Sequence, residues 1–174
     1  DRTIVRMLAM RRTLWGVAVP DMAVVQAAAA DRVAVDERKR LAKVLVEAGV
    51  AADGDAWIAE AIEAAVAAVR ARGPMTATAL AEAVPALATR LTLSPGKRYE
   101  ATVSVASRLL TVLGAEGHLV RGRPRGSWTG TQHHWATPQD WLGERIPPPM
   151  DPERARIELA RAWLARFGPA TVAD

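Results

Sequence analysis

The sequence predicts a mainly α fold with small β-hairpins, an α+β class, and three observations predict it. Apolar residues recur at helical spacing in three consecutive runs between Asp53 and Glu116, each bounded by capping or breaking residues. The breaks are Gly73-Pro74, Pro85 and Gly117. A run from His118 to Ala136 comes next, with strand-like ends and a basic Gly/Pro-rich middle, the pattern of a hairpin. Helix, short capped helix, long amphipathic helix and basic hairpin, in that order, spell a helix-turn-helix with a wing. On this reading the chain holds tandem winged-helix modules. Residues 1–50 end a first one, 51–137 form a complete one, 138–150 are a Pro-rich linker and 151–174 begin a third.

Taken in order, Ile4 to Met10 and Arg12 to Val19 are apolar and meet at Arg11-Arg12, which predicts a short hairpin, the wing of the first module. Pro20-Asp21 starts a helix whose run Met22 to Ala30 is nearly uncharged and is expected to be buried. A separate helix is expected over Asp36 to Ala48, with Leu41, Val44, Leu45 and Ala48 on one face and Gly49 as the stop. Its Arg38-Lys39-Arg40 run could touch phosphate, but such runs on helices are usually a solvated face. Asp53 to Arg72 is the first helix of the complete module, with Asp55 placed to cap it and Ile58, Ile62, Ala65 and Val69 as its inner stripe. Thr76 caps Ala77 to Val84, and Arg90 to Leu93 adds a short strand before Ser94-Pro95-Gly96 turns the chain.

The next helix is predicted from Lys97 to Glu116. Tyr99, Val103, Ala106, Leu110 and Leu113 would face inward, and Lys97, Ala101, Ser104, Arg108 and Thr111 outward. Cations, hydroxyls and a small residue on one stripe suit entry into the DNA major groove. In the hairpin beyond it Arg121, Arg123 and Arg125 surround a Gly/Pro turn, where the strands are not expected to bury them and their forked guanidiniums reach phosphate or a narrow minor groove. Arg121-Gly122-Arg123-Pro124 also resembles the Arg-Gly-Arg-Pro core of AT-hook peptides. Trp128 and Trp135 offer stacking faces or core packing. The candidate DNA-contacting residues are therefore Lys97, Arg98, Ser104, Arg108, Thr111, Arg121, Arg123, Arg125 and Trp128.

Beyond the hairpin, Pro147-Pro148-Pro149 reads as a stiff spacer. Asp151-Pro152-Glu153 is a strong helix start, and Ile157, Ala160, Leu164 and Phe167 supply an apolar face. Gly168-Pro169-Ala170-Thr171 then repeats the punctuation of Gly73-Pro74-Met75-Thr76. The chain opens at Asp1 without Met and closes soon after that repeat, so it reads as a fragment cut at both ends.

Charge distribution supports a polyanion partner. The net charge is +4, yet residues 90–126 hold seven Lys/Arg against Glu100 and Glu116, or 7 − 2 = +5, leaving −1 for the remainder. No apolar run approaches the roughly 18 residues of a membrane span, and no signal-peptide pattern opens the chain, so a cytoplasmic location is expected. There is no cysteine, which excludes disulfides and thiolate metal sites. His133 and His134 are adjacent, point to opposite faces of a strand and share no metal ion, and His118 stands alone. No phosphate loop, nucleophile triad, carboxylate pair or zinc signature is present, so neither cofactor nor metal is expected.

With Arg6-Met7-Leu8-Ala9-Met10-Arg11-Arg12-Thr13-Leu14-Trp15, Lys97-Arg98 to Ser107-Arg108, and Val120 to Thr129 in view, the chain resembles a bacterial family over nearly its whole length. It is similar to the winged-helix DNA-binding proteins related to AlkZ/YcaQ-type DNA glycosylases. The resemblance implies tandem winged helices that cradle duplex DNA, and, in glycosylase members, removal of alkylated bases. Catalytic members carry a Gln-x-Gln or Gln-x-Asp motif, whereas Gln26, Gln132 and Gln139 form no such pair here. The expectation is thus double-stranded DNA binding, with catalysis in the parent left open. The alternative is a winged-helix regulator or protein-interaction module without enzymatic activity.

Overall fold

The computed structural model describes residues 2–93, 96–126 and 132–171. It is an α+β arrangement in which helices surround three small antiparallel sheets. Strands β1 (Ile4–Leu8) and β2 (Leu14–Ala18) form the expected first hairpin. Val5 and Met7 alternate inward while Arg6 and Leu8 take the other face, as a two-residue period requires. At its turn Arg11 and Arg12 both hold positive φ, 56° and 57°, a strained state for side chains with a Cβ.

Two helices expected over 22–48 are one. α1 (Met22–Val25), a π stretch (Gln26–Ala30) and α2 (Asp31–Glu47) run on without a break, because nothing between Ala30 and Asp36 is a glycine or proline and Asp31 and Asp36 interrupt no backbone bond. Most of the uncharged run is only half-buried. α3 (Gly54–Arg72) carries the predicted stripe Ile58, Ile62, Ala65 and Val69, all buried. Its cap is Asp53 rather than Asp55: the Asp53 carboxylate accepts from the amides of Asp55 (2.9 Å) and Ala56 (3.1 Å). Gly54 could be nothing larger, since a Cβ there would lie 2.4 Å from the Ala42 carbonyl of α2.

β3 (Met75–Thr76) leads into α4 (Ala77–Ala83), which Thr76 caps as expected by accepting from the Ala79 amide. α5 (Pro85–Ala88) and β4 (Arg90–Leu93) come next. The predicted helix from Lys97 begins eight residues late. Ala101–Ser104 is instead strand β5, paired with β4 in the register Leu91↔Val103 and Thr92↔Thr102, and α6 spans Val105–Ala115. β-Branched Thr102 and Val103 suit the pairing, and Ser104 accepts from the Ala106 amide as the cap. Tyr99, expected inside, is 68% exposed. The rest of the inner stripe holds: Ala106, Leu110 and Leu113 are buried, joined by Leu109 and Val112.

β6 (Val120–Pro124) and β7 (His133–Ala136) make the predicted basic hairpin, and β3 extends it to three strands in the order β3-β7-β6. Thr137 caps α7 (Pro138–Leu142), so the interval read as a linker begins with a helix whose Leu142 is buried. α8 (Pro152–Phe167) starts at the predicted Asp151 cap and packs on α1 and the π stretch through Ala155. The apolar face read for α8 is not a core face: Ile157, Leu164 and Phe167 are exposed, with Trp163 beside them. Gly73 (φ 78°, ψ −169°) and Gly168 (φ 87°, ψ −169°) end α3 and α8 in the same positive-φ, extended-ψ conformation that essentially only glycine adopts, so the repeated Gly-Pro punctuation is repeated in backbone form.

Two cores result. Leu41, Leu45, Ile58, Leu80, Leu109 and Leu113 join α2 to the α3–α6 region, each fully buried leucine or isoleucine contributing roughly 1.5–3 kcal/mol of transfer free energy. Val5, Met7, Val17 and Val25 pack with Val120, Ala136 and Leu142, which seats the first hairpin against the base of β6–β7. No helix among the described residues is long and apolar enough to cross a membrane.

Candidate nucleic-acid interface

The β6–β7 hairpin positions the basic residues. Val120 pairs with Ala136 and Arg121 with Trp135, but Pro124 pairs with His133, so β6 carries one extra residue between Arg121 and Pro124. Such a bulge bends the strand and re-aims the side chains beyond it. Gly122 stands in it because a Cβ there would meet Trp141 Cζ3 at 3.0 Å and the His134 carbonyl at 3.2 Å. The AT-hook-like tetrapeptide is therefore a paired strand with a packed glycine. The Arg125 amide continues the ladder to the Gln132 carbonyl (2.7 Å).

Arg123 and Arg125 are exposed and meet no carboxylate among the described residues. Arg121 departs from the expectation of an unburied tip residue. It is half-buried, with its guanidinium 5.1 Å from the centroid of the Trp135 ring across the strand pair. Burial first, and the positive charge of Arg6 second, lower its pKa from the usual arginine value. Trp135 itself is core, and Trp128 lies outside the described residues.

The helix residues are dispersed by the late start of α6. Lys97 and Arg98 sit in the β4–β5 loop, both exposed, with Lys97 Nζ 5.9 Å from the Tyr99 ring centroid. Ser104 is committed to structure, capping α6 and donating to the Leu87 carbonyl (3.3 Å). Thr111 donates to the Ser107 carbonyl (2.9 Å), and Ser107 to that of Ser104 (3.1 Å), so these hydroxyls face a partner as acceptors only. Arg108 is half-buried and meets no carboxylate among the described residues. Ser107, Arg121, Gln132 and His133 line one cleft, which brings α6 and the hairpin to a common surface.

Several charged groups without a role in the sequence reading hold this frame. Buried Glu37 receives both Arg12 and Arg40, tying the first hairpin's turn to α2. Its four-residue spacing to Leu41 and Leu45 is the signal the sequence offers for it. Glu116, expected only as an acidic residue near the wing, binds Arg38 (2.7 Å) and His118 (3.1 Å). Burial would raise its pKa, but the hydrogen bonds from His118 and Arg38 and their charges outweigh burial and lower it. Arg2 lies 4.5 Å from the Trp141 ring centroid and donates to the Trp141 carbonyl (2.9 Å). Arg6 donates to His133 Nδ1 at 3.0 Å. Among the described residues no group of three or more His, Asp or Glu side chains is placed to hold a metal ion.

Comparison with known proteins places this architecture. A model of the "DNA glycosylase AlkZ-like" family matches residues 1–174. Among solved structures, the Streptomyces sahachiroi DNA glycosylase AlkZ superposes with a TM-score of 0.63 at 20% identity, over 98% of this chain and 42% of its own, a likeness of fold. The chain thus spans less than half the length of that neighbour. No curated protein matches by sequence. By the family match over its full length, the chain belongs to the AlkZ-like DNA glycosylase family.

Proposed function

We propose that this chain is a double-stranded DNA-binding segment of a DNA-repair protein, in which residues 51–137 act as a winged helix and the β6–β7 hairpin is its wing. The observation that carries the reading is the pair of exposed guanidiniums, Arg123 and Arg125, free of carboxylate partners among the described residues and set at the far end of a bulged hairpin whose base is packed into two cores. Lys97 and Arg98 on the β4–β5 loop and Arg108 on α6 supplement them, within the one stretch that concentrates the positive charge. The family assignment supplies a DNA context. Base excision belongs to the intact parent only if it carries the glutamine motif that these 174 residues lack.

Fluorescence anisotropy of a labelled duplex, titrated at several salt concentrations, tests this. Each phosphate contact contributes a slope of about 0.9 in log affinity against log salt, so Arg123→Gln with Arg125→Gln flattens the slope by about 1.8 and weakens unrelated sequences alike. An unchanged slope removes the wing from the interface. Absence of saturable binding at low salt contradicts DNA binding and favours a protein-docking module.

A further inference from the structure

A cleft of about 290 Å³ opens between the first turn of α4, the first half of α6 and the base of the β6–β7 hairpin. Its polar lining consists of Thr76, Thr78, Ser107, Arg121, Gln132 and His133, and contains no carboxylate. Arg6 of β1 stands behind it, donating to His133 Nδ1. A guanidinium has no acceptor to offer, so Nδ1 accepts and the ring carries its proton on Nε2, which makes His133 a neutral donor. Neither Arg6 nor Arg121 meets a carboxylate within 4.0 Å among the described residues, although Arg121 is half-buried. Arg121 thus faces this polar hollow with the charge of Arg6 behind it, and His133, Thr78 and the Gln132 amide can donate into the same space. Burying a cation without a counter-charge is costly: half-buried Arg38 has Glu116, whereas Arg121, like Arg108, has no acid among the described residues.

We propose that this cleft is a phosphate-binding pocket, in which a single phosphate group is held by Arg121 and His133 with hydroxyl and amide donors from Thr78 and Gln132. Trp135 beneath the guanidinium fixes its plane, and Arg6 fixes the histidine tautomer while adding charge from behind. The pocket runs along the hairpin from Trp135 to Gln132, and neither Arg123 nor Arg125 lines it. It rests on the DNA-binding reading only for the source of the phosphate, which is a backbone diester if that reading holds and a free phosphate monoester otherwise.

The side-chain resonances of His133 and Arg121, followed by 1H–15N NMR while the protein is titrated with inorganic phosphate against sodium chloride at matched ionic strength, provide the test. The expected result is a saturable shift of both with phosphate and none with chloride. Arg121→Gln is expected to weaken that affinity at least tenfold. Thr78→Asp guards against misfolding of the first variant: Thr78 is exposed in the first turn of α4, where an acid suits the helix dipole, and the new carboxylate is expected to occupy the anion's place and abolish the response. A short duplex that shifts the same resonances, and whose shifts excess phosphate reverses, identifies the DNA backbone as the source. A response to phosphate alone identifies a free phosphate. No response of His133 or Arg121 to either overturns the pocket, and if the Arg123 and Arg125 variants still flatten the salt slope, DNA binding by the wing stands without it.

Discussion

Replacing Gly122 by alanine measures how firmly the hairpin is seated. The new methyl would sit 3.0 Å from Trp141 Cζ3, 3.3 Å from its Cη2 and 3.2 Å from the His134 carbonyl oxygen. The indole edge can yield a few tenths of an ångström, but Arg2 stacks on the ring, 4.5 Å from its centroid, and restricts it. The carbonyl belongs to the neighbouring strand of the same sheet and cannot yield without moving β7. Overpacking of this kind costs about 1–3 kcal/mol, and the entropy that alanine removes from the unfolded chain returns about 0.4–1 kcal/mol. The net loss is about 0–2.6 kcal/mol, about 1.3 kcal/mol at mid-range, which for a chain of this size lowers Tm by up to about 10 °C. Thermal unfolding followed by circular dichroism, with a calorimetric check of two-state behaviour, is the assay. A Tm above that of the parent would refute the claim that Gly122 is required by close packing.

Two further predictions concern the scaffold. Asp53→Ala removes the carboxylate that accepts from the Asp55 and Ala56 amides at the start of α3, and is expected to cost about 1 kcal/mol in denaturant unfolding without a change in m; an unchanged midpoint would mean that water satisfies those amides equally well. The Glu116 pKa is lowered in the folded state, so its pairing with Arg38 and His118 stabilises the protein above the ordinary carboxylate range and that contribution is lost as pH falls below it. The stability advantage of the parent over Glu116→Gln, measured by urea unfolding, is therefore expected to shrink on going from pH 6 to pH 3, and an advantage that grows towards acid contradicts the assignment.

The features legible in the sequence are mostly local. The caps at Thr76 and Asp151, the stripe of Ile58, Ile62, Ala65 and Val69, and the basic hairpin each depend on residues within a turn or two of one another, and all appear as expected. The start of α6 is misleading in sequence because Tyr99 and Val103 extend its apolar spacing by coincidence, while the competing strand is stabilised by Leu91 and Thr92. Propensity yields to such tertiary pairing. The merger of the two helices over 22–47 is hidden by two aspartates that resemble start signals with no stop before them. Arg121 reads as part of an open tip because its ring partner, Trp135, lies 14 residues away across the hairpin. Arg6 gives no local signal of its role, since its contact with His133 joins residues 127 positions apart. Local order in the sequence reveals elements and their punctuation; the register of strands and the meeting of distant cations depend on packing between them.

Backbone amide mapping by NMR with a short duplex at low salt would show whether duplex DNA lies across the β6–β7 hairpin and the adjoining face of α6, as proposed above. Saturable shifts are expected at Arg121 to Gly126 and around Ser107 to Thr111, with Lys97 and Arg98 at the margin. Shifts confined to the exposed apolar side of α8, at Ile157, Trp163 and Phe167, or none that saturate, would contradict it.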